Sequence, residues 1–163
     1  MDIIAHLKAD HAKLASIFER LCSTTTRATK TRTELAAVIE HELEVHMSFE
    51  ETMLYPAIKA AADEEGQDLT RESYAEHTAA SDTLGRLMKM QTDDEMWKAT
   101  MTVLKEEIEH HVKEEEGQLF PLARKLLSGD ALQTMGEQYA AVKAKAKHPD
   151  HVAEHHTQLV GMH

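Results

Sequence analysis

Residues 46–56, HMSFEETMLYP, and residues 111–121, HVKEEEGQLFP, carry one pattern twice. His46, Glu50, Glu51, Leu54 and Pro56 match His111, Glu115, Glu116, Leu119 and Pro121, each displaced by 65 positions. Upstream, Ala9-Asp10-His11 is echoed by Ala75-Glu76-His77, displaced by 66. A near-constant displacement over separate segments marks an internal duplication, which favours a fold of two equivalent halves. Each half supplies one lone His and one His-x3-Glu pair. Two equivalent sets of nitrogen and oxygen donors suggest two metal ions.

The periodicity around these residues is helical. Ile4, Leu7, His11, Leu14, Phe18 and Leu21 follow a 3-4 spacing over residues 3–22, with Asp2 placed to cap the helix. A polar connection at 24–31 leads to a second helix from near Thr33, with a seam of Leu35, Ile39, Leu43, His46, Glu50 and Met53. Glu64-Glu65-Gly66 is expected to end it. A third helix over about 68–91 carries Ser73, His77, Ala80, Leu84 and Leu87. The fourth, capped by Asp93 or Asp94, carries Trp97, Met101, Leu104, Ile108, His111 and Glu115. Pro56 and Pro121 fall inside helical patterns, so a bend is expected just past each ligand pair. No strand-like alternation occurs.

The fold expected is therefore all-α: an up-down-up-down four-helix bundle with a short, more polar fifth helix over 130–147 outside it. Residues 1–147 form the bundle domain in this division, and 148–163 a mobile, His-rich tail. Aromatics are only 4% of the chain, so aliphatic residues, Ala and Met must build the core.

His46 and Glu50 lie one helical turn apart on one face, as do His111 and Glu115. All four sit where a seam normally carries apolar groups, and so do His11 and His77. Burying such groups unpaired costs roughly 1–3 kcal/mol each, and more when charged. Six would consume much of a domain's typical ~5–15 kcal/mol. Bound metal removes the difficulty, and imidazole with carboxylate suits iron, with zinc or manganese possible. Glu50 and Glu115 can bridge two ions roughly 3.5–4 Å apart. His11 with His46 would complete one ion and His77 with His111 the other.

These segments, with the acidic-His pairs Asp10-His11 and Glu76-His77, resemble the hemerythrin HHE cation-binding family over about residues 2–128. The resemblance implies two Fe ions with an oxo or hydroxo bridge. It implies a small-molecule ligand, O2, NO or H2O2, for carriage, sensing, iron handling or peroxide breakdown. The sequence departs from the oxygen carriers of that family. Those have His-x3-His on the third helix, whereas here Ser73 and Ser81 flank His77. Their fourth-helix carboxylate is an Asp five residues past the His, whereas here Glu115 follows His111 by four. Two His per iron and two bridging carboxylates would leave an open place on each ion, which favours peroxide reactivity or sensing over simple carriage. Set against a di-iron binding protein are a catalase-like peroxide-degrading enzyme and a metal-free helical interaction module.

Other features point elsewhere. Glu51 and Glu116 repeat but lie one residue off the seam, and are read as solvated groups or outer partners of the ligands. Tyr55, Phe120 and Tyr74 are read as packing, and Lys143, Lys145 and Lys147 as a solvated helix end. His41-Glu42-x3-His46 has one residue too many for a zinc-protease helix. A formal charge of −11 argues against nucleic acid and anionic membrane surfaces. The single Cys22 permits no intrachain disulfide, and the N-terminal residues lack a signal-peptide pattern, so a cytoplasmic protein is expected.

Overall fold

The computed structural model describes residues 1–146. They form α1 (Ile3–Cys22), α2 (Thr29–Phe49), α3 (Tyr55–Ala61), α4 (Glu64–Lys89), α5 (Trp97–Glu114), α6 (Phe120–Leu126) and α7 (Gly129–Lys145). A single π turn, Glu50–Leu54, joins α2 to α3, and a second, Glu115–Leu119, joins α5 to α6. Each pair is thus one long interrupted helix. Helix α1 packs on α2 and α5, and α4 packs on α5 and α2, which closes the four-helix bundle. Among the described residues there is no strand, and no helix is long and apolar enough to cross a membrane.

Local chemistry sets the helix starts. Asp2, Asp63 and Ser128 each accept a hydrogen bond from a backbone N–H three residues on, at 2.9, 3.1 and 3.1 Å. Asp63 therefore begins α4 at a point where the sequence suggested only a stop. Gly66 does not end a helix but lies inside α4. A Cβ there would stand 2.7 Å from the Ala62 Cβ and 3.0 Å from Leu122, so glycine permits the tight approach of α3, α4 and α6. Helix α2 likewise begins four residues before the expected Thr33. Arg32 in its first turn is buried, donating to Thr24 and to the Thr92 carbonyl (2.6 Å) and lying 4.7 Å over the Trp97 ring. It ties the α1–α2 link to the α4–α5 link.

The disturbance expected at Pro56 and Pro121 takes the form of the two π turns. Tyr55 N–H donates to the Glu50 carbonyl, and Phe120 N–H to that of Glu115, five residues back in each case. The wider turn opens the backbone immediately before each proline. It also resets the seam. On a regular helix Tyr55 would point about 140° away from Glu50. With five residues in the turn it shares the face of Glu50 and is fully buried. Met53, which regular spacing put on the seam, is exposed.

Two apolar clusters fill the bundle. One contains Leu14, Phe18, Leu43, Trp97, Leu104 and Ile108, and the other Ile4, Leu7, Leu54, Leu119, Phe120 and Tyr139. Between Leu7 and Leu14 on α1, and between Ile108 and Leu119 on the fourth rod, lies a polar layer. Each fully buried aliphatic side chain contributes roughly 1.5–3 kcal/mol, so the flanking clusters can hold a layer that contributes little by itself.

Candidate metal centre

His11, His46, Glu50, His77, His111 and Glu115 converge in that layer, and none is more than 5% exposed. Glu50 reaches from its own helix neighbour to the opposite rod: Oε1 is 3.2 Å from His46 Nε2 and Oε2 is 3.4 Å from His77 Nε2. Glu115 does the same, with Oε2 3.4 Å from His111 Nε2 and 3.3 Å from His11 Nε2. The Nε2 atoms meet in pairs, His11 with His46 at 3.3 Å and His77 with His111 at 3.0 Å. Two convergent groups result, His11, His46, Glu50 and Glu115 on one side and Glu50, His77 and His111 on the other. Donor atoms within each lie no more than 4.8 Å apart.

Three of the four rings have a hydrogen-bonded carboxylate at the outer nitrogen. Glu116 lies 2.9 Å from His11 Nδ1, Glu51 2.9 Å from His77 Nδ1 and Glu76 2.7 Å from His111 Nδ1. Asp10 stands 3.6 Å from His46 Nδ1. A carboxylate only accepts, so in these three rings Nδ1 carries a proton and Nε2 is the atom left to face an ion. The repeated Glu51 and Glu116 orient His77 and His11, and Glu76 orients His111, across the bundle.

The donor set fits a cation. Glu50 Oε1 and Glu115 Oε2 are buried without a hydrogen-bond partner, and the Nε2 atoms of all four rings converge on these two carboxylates. A cation held in this layer would satisfy these atoms.

Tyr55 is the member that periodicity concealed. Its hydroxyl donates to Glu115 Oε1 at 2.7 Å and lies 3.1 Å from His77 Nε2. The Ser73 hydroxyl is a further neighbour of the phenol oxygen. Phe120, its counterpart, stacks on His11 with ring centres 5.7 Å apart and has no hydroxyl to offer. The duplication is thus broken at the chemistry itself. An open place on each ion is the expectation from Ser73 and Ser81. On the His77 side the Tyr55 hydroxyl stands between His77 and Glu115.

A family model described as the Hemerythrin HHE cation binding domain matches residues 2–123. The chain belongs to the hemerythrin HHE cation-binding family. An uncharacterized hemerythrin-like protein of Schizosaccharomyces pombe is 27% identical over 134 residues, which is 82% of this chain and 65% of that protein's length. The crystal structure of a Hemerythrin HHE cation binding domain-containing protein from Mycobacterium kansasii superposes with a TM-score of 0.76 at 22% identity. It covers 90% of this chain and 87% of that one, and it shares the fold. Membership supports metal binding as the property of the His/Glu layer.

Without metal the layer is strongly coupled. Burial pushes the His46 imidazole down, but Glu50 and Asp10 outweigh it and raise the ring to about 10. Burial likewise opposes protonation of His111, while Glu115 and Glu76 raise it to about 10. Burial lifts the Glu50 and Glu115 carboxyls, yet the surrounding imidazoles hold both below the ordinary range. Burial and the two carboxylates push the Tyr55 phenol far up, so it keeps its proton as a donor.

Helix α7 is a second surprise. Lys143, read as part of a solvated end, donates to Asp10 Oδ1 and lies 3.3 Å from Glu42 Oε2. Tyr139 is fully buried beside Phe49. The helix lies outside the four-helix square, as expected, but it packs on α1 and α2. Lys147 and the histidines at 148, 151, 155, 156 and 163, and with them the expected mobile tail, lie outside the described residues.

Proposed function

We propose that this protein is a non-heme di-iron protein whose centre reacts with or senses O2, NO or peroxide. The carrying observation is the pair of carboxylates, Glu50 and Glu115, each reaching between an imidazole of one group and an imidazole of the other. Carboxylates in that position would serve two ions; a single-ion site has no use for the second pair of His. In this reading His11 and His46 would hold one ion and His77 and His111 the other, with the Tyr55 hydroxyl donating a hydrogen bond to Glu115 beside them. Four neutral imidazoles against two carboxylates leave the centre cationic and favour Fe(II) relative to carboxylate-rich centres. When bound, the irons supply electrons and open positions for a small oxidant. The chain holds them apart from bulk water, fixes the His11, His77 and His111 rings through their outer nitrogens and keeps a protonated phenol beside Glu115.

A groove of about 480 Å3 between α1 and α5 reaches His11 and Glu116, with Phe18, Ile108 and Val112 on its walls. A counterpart of about 400 Å3 between α2 and α4 reaches Glu51 and is lined by Ser48 and Ser81. Small uncharged molecules suit the apolar groove.

The Tyr55 hydroxyl favours a second reading, that of a catalase-like enzyme degrading hydrogen peroxide, because it puts a proton donor against the centre. Iron-loaded protein is expected to show a near-ultraviolet charge-transfer band. Dioxygen release from peroxide faster than free iron achieves supports the enzyme; release at the free-iron rate leaves the binding or sensing role. A fully stable protein that takes up no metal overturns both in favour of a metal-free interaction module.

A further inference from the structure

Three of the four outer imidazole nitrogens have a carboxylate within 2.9 Å, and the fourth does not. His46 Nδ1 is buried without a hydrogen bond, 3.6 Å from Asp10 Oδ2. The Asp10 carboxylate is engaged elsewhere. Tyr139 of α7 donates to Oδ2 at 2.5 Å, and Lys143 donates to Oδ1. At the equivalent place in the other half, Glu76 is one methylene longer and meets His111 Nδ1 at 2.7 Å. Among the described residues its remaining oxygen pairs with His110, at 3.1 Å. The counterpart of His110 is Val45, and among the described residues the partners of Glu76 both lie on α5.

We infer that α7 competes with His46 for Asp10 and thereby makes the two metal positions unequal, the His11/His46 ion being the weaker. The inference rests on the metal-centre reading above. A metal-bound imidazole gains basicity and a fixed orientation from a carboxylate on its far nitrogen, and losing that partner commonly weakens binding about 10–100-fold. Tyr139 and Lys143 act as positioning residues: they draw Asp10 toward α7 and leave His46 less firmly held. The docking of α7 is built in by Gly136, where any Cβ would stand 2.3 Å from the Met1 carbonyl oxygen, and by buried Leu132 and Tyr139. Loading of the weaker position and the grip of α7 on Asp10 are therefore linked: what strengthens one relaxes the other.

The sign of the effect separates this from a structural role. Zn(II) is titrated against a chromophoric chelator into the metal-free full chain, its Tyr139→Phe variant, which keeps the ring, and its Lys143→Met variant. The parent is expected to bind two ions in unequal steps. In Tyr139→Phe the weaker step should tighten by about tenfold as Oδ2 turns to His46. Lys143→Met should move it the same way. In the Zn(II)-loaded variant, 15N-histidine spectra should gain an exchange-protected His46 Nδ1 proton. A loosened or unchanged weaker step in both variants overturns the competition, since mere loss of packing can only loosen it. Two steps of equal affinity in the parent overturn the inequality. A parent chain that takes up no Zn(II), Fe(II) or Mn(II) overturns the metal-centre reading itself and this inference with it.

Discussion

Tyr55 and Glu115 lie 60 positions apart, in different halves of the duplicated sequence, yet the phenol donates to the Glu115 carboxylate across 2.7 Å in the middle of the bundle. The contact joins the two halves at the candidate metal centre and has no counterpart at Phe120. It gives the centre a chemical direction that the repeated pattern alone would not.

Tyr55→Phe should keep the two-ion stoichiometry, because the four imidazoles and two carboxylates remain. Its cost to the metal-free fold should be about 1–2 kcal/mol, from the Glu115 oxygen left without its donor. The iron spectrum should shift. Metal analysis beside urea melts and absorption spectra checks this; an unchanged spectrum would remove Tyr55 from the centre.

Glu115→Ala and His46→Ala should each abolish the near-ultraviolet band. Without metal, Glu115→Ala strips His11 and His111 of a buried partner, and breaking a buried charged pair costs on the order of 3–5 kcal/mol. A melt of the metal-free variant within about 1 kcal/mol of the parent would contradict the coupling described for this layer.

The six donors are legible in the sequence because helical spacing and the duplication act together. One His-x3-Glu pair is an ordinary surface feature, whereas two pairs and two lone His at matching seam positions are not. The acidic partners Asp10 and Glu76 are visible as half of each acidic-His pair. The partners Glu51 and Glu116 are visible only as repeats one step off the seam. Tyr55 is illegible for a physical reason. Seam counting assumes 3.6 residues per turn, and the π turn before Pro56 inserts a residue that swings Met53 out and Tyr55 in. Tyr139 and Lys143 meet Asp10 from 129 and 133 positions away, a relation that no local periodicity encodes.

Proton release should accompany metal uptake. His46 and His111 are raised to about 10 in the metal-free fold, above the ordinary 6.5. Their contribution to metal-free stability is fully present below about pH 6.5 and is lost as pH rises through about 10. At pH 7–8 both rings are protonated, so an incoming cation must displace one proton from each, and affinity should rise with pH over that window. Calorimetry of Zn(II) binding in buffers of different ionisation enthalpy counts the protons. Uptake without release would contradict the assignment of these two rings.

Gly136→Val should dislodge α7, since the added atoms would overlap the backbone of Met1 to Ile3. Overpacking of this kind costs roughly 1–3 kcal/mol. Hydrogen exchange should show early loss of protection confined to α7 and the first turn of α1, with α4 and α5 unchanged. Protection retained throughout α7 would contradict the close approach.

The most direct test is metal stoichiometry. The chain is reconstituted with Fe(II) under anaerobic conditions, desalted and measured by mass spectrometry of its elements against protein concentration. Two ions per chain, falling to one or none in His46→Ala and His111→Ala, is the result expected of two carboxylate-bridged positions. A parent chain that holds no ion, or holds two that survive both substitutions, would contradict it.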